Sequence, residues 1–179
     1  SKTRFVILNS LRPRTSVTSI GPDAIDGARQ ATEHLIAHGH TSVGLIIGPQ
    51  DPTAVEAREV GWLDAHAAHR LTPGPIARAE FSREGGYQAA RRMFSSGGSP
   101  AAVFVSSDLQ AIGALAALSQ LGLHVPQDVA MVSFDGTIES EFSIPPLTTV
   151  RQPVTAMASR LIDLVTEAGA PLGHESFPV

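Results

Sequence analysis

Apolar residues fall along this chain in short runs that alternate with helical stripes. Phe5–Leu8 and Val17–Ile20 read as strands, the first followed by a polar stretch with Arg12, Pro13 and Arg14. Gly21-Pro22-Asp23 breaks the pattern. Asp23 stands where the N-cap of a helix over Ala24–Ala37 belongs, with Ala28, Ala31, Leu35 and Ile36 on its apolar stripe and Gly39 closing it. Val43–Ile47 is a continuous apolar run flanked by Gly48, the pattern of a strand buried on both faces. The loop Gly48-Pro49-Gln50-Asp51-Pro52 leads to a second helix from Ala54 to His69. The alternation then repeats: a weak strand Ile76–Phe81, a helix Glu84–Phe94, a Ser/Gly loop Ser95–Pro100, a strand Ala101–Val105, a helix Leu109–Leu121 and a strand Val129–Phe134. Pro145-Pro146 marks a rigid crossover to a short strand Leu147–Val150, and Val154–Ala168 is the last long helix. Strand and helix alternating at this spacing predict an α/β fold of parallel sheets flanked by helices, built from right-handed βαβ units.

Composition narrows the classes. The chain has 179 residues, 42% of them apolar and 17% charged, which is too apolar for a disordered chain and enough for one or two packed units. The absence of cysteine removes disulfides, thiolate metal sites and cysteine nucleophiles together. The longest apolar runs fall far short of the ~20 residues that span a bilayer. A formal charge of −4 with no basic run argues against direct binding of nucleic acid, because phosphate contacts need clustered Lys and Arg. No signal peptide opens the chain, and its start at Ser1 reads as a piece of a longer protein.

In parallel α/β sheets ligands bind at the carboxyl ends of the strands. That rule selects Asp23, Gln50, Asp51, Phe81, Ser82, Ser107, Asp108 and Asp135, with Arg58 in the first part of the second helix. Carboxylates, one guanidinium, hydroxyls and an aromatic face form the set that binds a polyhydroxylated small molecule. Each residue also has a plainer role: Asp108 as the N-cap of its helix, Arg58 in a salt bridge with Glu56 or Glu59, Phe81 in the core. A phosphate-binding P-loop, a dinucleotide fingerprint and a Gly-x-Ser-x-Gly elbow are all missing. His34 and His38 lie four apart, with His40 close by, but no third ligand at fixed spacing accompanies them, so no metal site is expected. His66 and His69 read as solvated helix residues. Paired catalysis by Asp108 and Asp135 has no nucleophile or cofactor motif beside it, so neither enzyme activity nor a cofactor is expected.

Longer strings carry a resemblance. Glu33-His34-Leu35-Ile36-Ala37-His38-Gly39-His40 followed by Val43-Gly44-Leu45-Ile46-Ile47-Gly48, then Arg58-Glu59-Val60-Gly61-Trp62, resemble the effector-binding domain of LacI/GalR-type transcriptional regulators. So do Pro100-Ala101-Ala102-Val103-Phe104, Asp108-Leu109-Gln110-Ala111-Ile112-Gly113-Ala114 and Gly122-Leu123-His124-Val125-Pro126-Gln127-Asp128-Val129. The most specific are Ser133-Phe134-Asp135 and Pro145-Pro146-Leu147-Thr148-Thr149-Val150-Arg151-Gln152, and the order holds from about residue 4 to the end.

The resemblance implies a two-lobed, periplasmic-binding-protein-like fold of type I with the first lobe incomplete. Residues 1–40 would be part of that lobe, 41–147 the second lobe and 148–179 the return to the first. It implies that Arg58 and Asp135 are the principal polar ligands of a sugar or related metabolite. Phe81 would stack on it, Ser107 stands where sugar-binding members often carry Asn, and Asp23 and Asp26 flank a first-lobe carboxylate position. It further implies a cytoplasmic homodimer whose effector allosterically controls operator DNA binding, as repressor or activator, through an N-terminal helix-turn-helix outside this chain. The last strand is expected to be incomplete at Pro178-Val179. An exported sugar-binding protein of a membrane transporter is the alternative with the same cleft.

Overall fold

The computed structural model describes residues 5–10, 17–50, 56–95, 97–166 and 172–179. Arg12, Pro13, Arg14, Asp51, the expected helix start at Ala54, Ser96 of the Ser/Gly loop and the expected helix end at Ala168 lie outside them.

The elements are β1 (Val6–Leu8), β2 (Thr18–Pro22), α1 (Ala24–Ala37), β3 (Val43–Ile47), α2 (Ala57–Ala68), β4 (Ile76–Arg78), α3 (Arg83–Phe94), β5 (Ala102–Val105), α4 (Asp108–Gln120), β6 (Ala130–Asp135), α5 (Ile138–Phe142), β7 (Thr148–Arg151), α6 (Val154–Thr166) and β8 (His174–Phe177). They form two parallel sheets, β4-β3-β5-β6-β7 and β1-β2-β8. The expected α/β class and parallel pairing are present.

Strand alternation divides the larger core. On β3, Val43, Leu45 and Ile47 face one way, and on β5 and β6 Phe104, Val132 and Phe134 join them against α1 and α2. Ile46, Val103, Val105 and Met131 face the other way, against Ala89, Ala90 and Met93 of α3 and Ala114, Ala117 and Leu118 of α4. Trp62 is buried with its indole N–H on the Val43 carbonyl at 2.9 Å. The α1–α2 contact is close enough that a Cβ on Gly61 would lie 2.1 Å from the Ile25 carbonyl oxygen. The smaller sheet is covered by α6, which buries Met157 and Leu164 against Ile20 with Val6 and Phe177 alongside.

Three expectations change. α1, grouped by sequence with residues 1–40 of a first lobe, packs on the five-stranded sheet, because its small Ala24, Ala28 and Ala31 fit against the buried strand residues. β7, grouped with residues 148–179, forms that sheet's edge beside β6. His66 is not solvated. It is fully buried, accepting from the Val43 N–H at Nε2 (3.2 Å) and donating from Nδ1 to the Trp62 carbonyl (2.8 Å), so it supplies an acceptor at the start of β3. One element had not been foreseen, α5; the last strand implied by the resemblance is β8, which pairs in parallel with β2 from Ser19 to Pro22.

Candidate functional site

A cleft of about 280 Å³ opens at the carboxyl ends of the strands, lined by Asn9, Arg58, Phe81, Ser107, Leu109, Asp135 and Gln152. Asn9 follows β1, Phe81 the β4 end, Ser107 β5 and Gln152 β7, while Asp135 is the last residue of β6. Arg58, Phe81, Ser107 and Asp135, chosen from sequence, are therefore brought together.

Arg58 enters from the first turn of α2 and is 5% exposed. Its Nε donates to Glu56 Oε1 at 2.8 Å and Nη1 to the Ser106 carbonyl at 2.5 Å. The guanidinium carbon lies 4.9 Å from the Phe81 ring centre and 5.6 Å from that of Phe134, in cation–π range of both. Of the two partners expected for a surface salt bridge, Glu56 pairs with Arg58 but in the interior, and Glu59 goes to Arg78. Phe81 is half-exposed and rests on Gly48, where a Cβ would come within 2.2 Å of its ring. Gly48→Ala is expected to displace the ring and weaken ligand binding with little loss of stability. Titration calorimetry alongside thermal melting checks this, and unchanged affinity would remove Phe81 from the site.

Ser107 is the N-cap of α4, its Oγ accepting from the Gln110 N–H at 3.2 Å. The capping role expected of Asp108 thus falls one residue earlier. Asp108 is the first helical residue and fully buried, and its carboxylate turns away from the helix. It accepts from Ser133 Oγ (2.6 Å), Thr149 Oγ1 (2.8 Å), Thr137 N (2.7 Å) and Thr137 Oγ1 (2.9 Å), joining β6, β7 and the start of α5. Its own N–H points at Asp135 Oδ2 at 3.3 Å.

Asp135 has φ +125°, a backbone conformation that costs on the order of 1–3 kcal/mol outside glycine. The Gln152 N–H holds its carbonyl at 3.1 Å, and the Gln152 side-chain amide donates to Oδ1 at 2.7 Å. Burial pushes the Asp135 carboxyl above its ordinary value; the Gln152 bond and the Arg58 charge pull it back, and the Asp108 charge pushes it up.

Asp23 and Asp26 do not reach this cleft. Asp23 Oδ1 accepts from the Asp26 N–H at 3.0 Å and so caps α1. Asp26 is engaged by Arg29 and Gln30 on the helix surface, which hold its carboxyl below the ordinary value. Asn9, Leu109 and Gln152 were missed, although Asn9 and Gln152 follow strand ends and the strand-end rule would have found them. Gln110 was missed as well. Fully buried, it ties the Ala79 and Glu80 carbonyls (3.0 and 3.1 Å) to Ser106 Oγ (3.0 Å), which positions the turn that carries Phe81. His34 and His38, considered for a metal, stack at 4.4 Å between ring centres.

A family described as periplasmic binding protein-like domain matches residues 32–175. The chain is 32% identical over 157 residues to the HTH-type transcriptional repressor PurR of Haemophilus influenzae, covering 87% of this chain and 47% of that protein. It is 31% identical over 169 residues to the lactose operon repressor of Escherichia coli, covering 93% and 47%. The chain thus spans about half the length of these curated relatives. Among solved structures, a dimeric Lac repressor superposes with TM-score 0.86 at 30% identity, over 97% of this chain and 65% of that one. A complex of the transcriptional regulator CelR with cellobiose superposes with TM-score 0.84 at 33% identity, over 97% and 55%. Among the described residues no helix is long and apolar enough to cross a membrane.

Proposed function

Because the chain belongs to the periplasmic binding protein-like domain family, in its LacI/GalR-type effector-binding form, we propose that it senses a sugar or related polyhydroxylated metabolite for a transcriptional regulator. The observation that carries this reading is the convergence of Arg58, Asp135, Ser107 and Phe81 on one cleft. Arg58 donates to ligand hydroxyls, Asp135 accepts from them, Ser107 does either, and Phe81 covers an apolar C–H face. The relatives' names as transcriptional regulators support reading the site as one that binds its ligand.

The regulator acts inside the cell as a homodimer and meets operator DNA through a helix-turn-helix outside this chain. The relatives' names, repressors among them, and the dimeric Lac repressor structure support that reading. The effector works by differential affinity for two arrangements of the protein. Gln152 supports this because it holds Asp135 from the crossover between β7 and α6, linking a ligand-facing carboxylate to the element that covers the smaller sheet. Nothing observed favours an exported transport protein. Calorimetric titration of mono- and disaccharides into the full-length protein tests the proposal, followed by operator binding with and without any saccharide that binds. Saturable binding of at least one and altered operator affinity are expected, and failure of the whole panel counts against it.

The raised Asp135 carboxyl sets a pH dependence. Between the ordinary carboxylate range and its raised value the free protein carries a proton that a ligand hydroxyl donating to the carboxylate must displace. Effector affinity is therefore expected to fall as pH drops through that window, by up to about tenfold per pH unit. The same proton favours the folded state within the window, so this contribution to stability is lost as pH rises through the raised value. Asp135→Asn should flatten the affinity profile; titrations from neutral pH into the carboxylate range check it.

A further inference from the structure

The charge around Arg58 narrows the kind of effector. Its guanidinium is the one cationic group among the described residues lining the cleft. That cation is already engaged: Glu56 Oε1 sits 2.8 Å from Nε, with both side chains largely out of solvent. Glu56 is the N-cap residue of α2, yet its side chain makes no capping bond. Its second oxygen, Oε2, is buried with no hydrogen-bond partner among the described residues. Asp135 adds a second carboxylate on the cleft wall, and buried Asp108 accepts its hydrogen bonds from hydroxyls and a backbone N–H, with no cation.

Two carboxylates, Glu56 and Asp135, thus stand by one guanidinium whose charge Glu56 already balances. Among the described residues a phosphate or carboxylate ligand entering here meets no unpaired cation and, in Asp135, a further negative group at low dielectric, where repulsion is poorly screened. A hydroxyl carries no such penalty. It accepts from the remaining Arg58 N–H groups and donates to the carboxylates. We propose that Glu56, by pairing with Arg58, makes this cleft selective for uncharged polyhydroxylated effectors and excludes their phosphorylated or carboxylated counterparts. The inference rests on the cleft being the effector site.

Inorganic phosphate is the first probe, with thermal stabilisation at matched ionic strength as the readout, on the full-length wild-type protein, Glu56→Gln, and Glu56→Gln with Arg58→Met. Comparing variants removes the general salting-out effect of phosphate. Glu56→Gln is expected to gain saturable phosphate binding, tighter than wild type by about tenfold or more, as an uncompensated guanidinium gains a charge-assisted partner. The added Arg58→Met should abolish the gain. Saturable phosphate binding by the wild type, or no gain in Glu56→Gln, overturns the proposal. Should Glu56→Gln fold poorly, the wild type decides: any saccharide that binds it is compared with its phosphate ester. An ester weaker by about tenfold or more supports the proposal, and one of equal or greater affinity overturns it. If no saccharide binds but the phosphate comparison behaves as expected, the effector reading fails and the charge assignment stands. If a saccharide binds and the phosphate comparison fails, only the charge assignment falls.

Discussion

Asp108→Ala is expected to lower the unfolding free energy by about 3–5 kcal/mol. The carboxylate receives four hydrogen bonds from three segments: Ser133 on β6, Thr137 at the start of α5 and Thr149 on β7. Removing it strands the Thr137 N–H, which cannot turn to another acceptor, and two or three hydroxyls that must find new ones. An unmet buried donor costs about 1–3 kcal/mol, and hydroxyl rotation recovers part of the sum. Asp108→Asn should cost less, since its amide oxygen keeps some of these contacts. Denaturant midpoints measure both, with the slope watched for a change in two-state behaviour. A loss under about 1 kcal/mol for the alanine variant would mean that the hub is not rigid. Because Asp108 N–H also bonds Asp135, weaker effector binding should accompany the destabilisation.

The middle of the larger sheet was legible because β3 and β5 are buried on both faces. Val43–Ile47 and Ala102–Val105 are apolar throughout, and that pattern leaves little else for them to be. The weak strand shortened from Ile76–Phe81 to Ile76–Arg78, because the turn that follows is held by Gln110 from another helix. β8 was signalled only by the last strand that the resemblance implies: His174–Phe177 is four residues with Phe177 its one apolar side chain, and its pairing partner lies far away in sequence. Arg58, Phe81, Ser107 and Asp135, which line one cleft, were candidates from strand ends combined with the resemblance. Asp23 and Asp26 lie away from the cleft, and a carboxylate after a strand caps a helix as readily as it holds a ligand. Asp108 shows the converse. Its sequence position reads as a cap, while its burial and four partners come from segments up to 41 residues away, and no local pattern records them. Gln152 and Gln110 were hidden in the same way, as long-range ties whose neighbours only the fold supplies.

Arg58→Ala should weaken effector binding by about 1.5–3 kcal/mol, or roughly 10- to 150-fold, the loss of a hydrogen bond from a charged donor. The same substitution leaves Glu56 buried without its partner and removes the hydrogen bond to the Ser106 carbonyl. Stability should therefore fall too, by about 3–5 kcal/mol, most of it from the stranded carboxylate. A double substitution separates the two roles. Arg58→Ala with Glu56→Ala discards the unpaired charge and should recover much of the stability, since replacing both partners costs less than orphaning one. It should not recover affinity if Arg58 donates directly to the ligand. Recovery of both would mean that Arg58 acts only by holding the α2 N-terminus and the Phe81 ring in place. Lysine at position 58 supplies a further comparison: it restores charge to the Glu56 carboxylate but not the planar face that lies over Phe81, so it should rescue stability more than affinity.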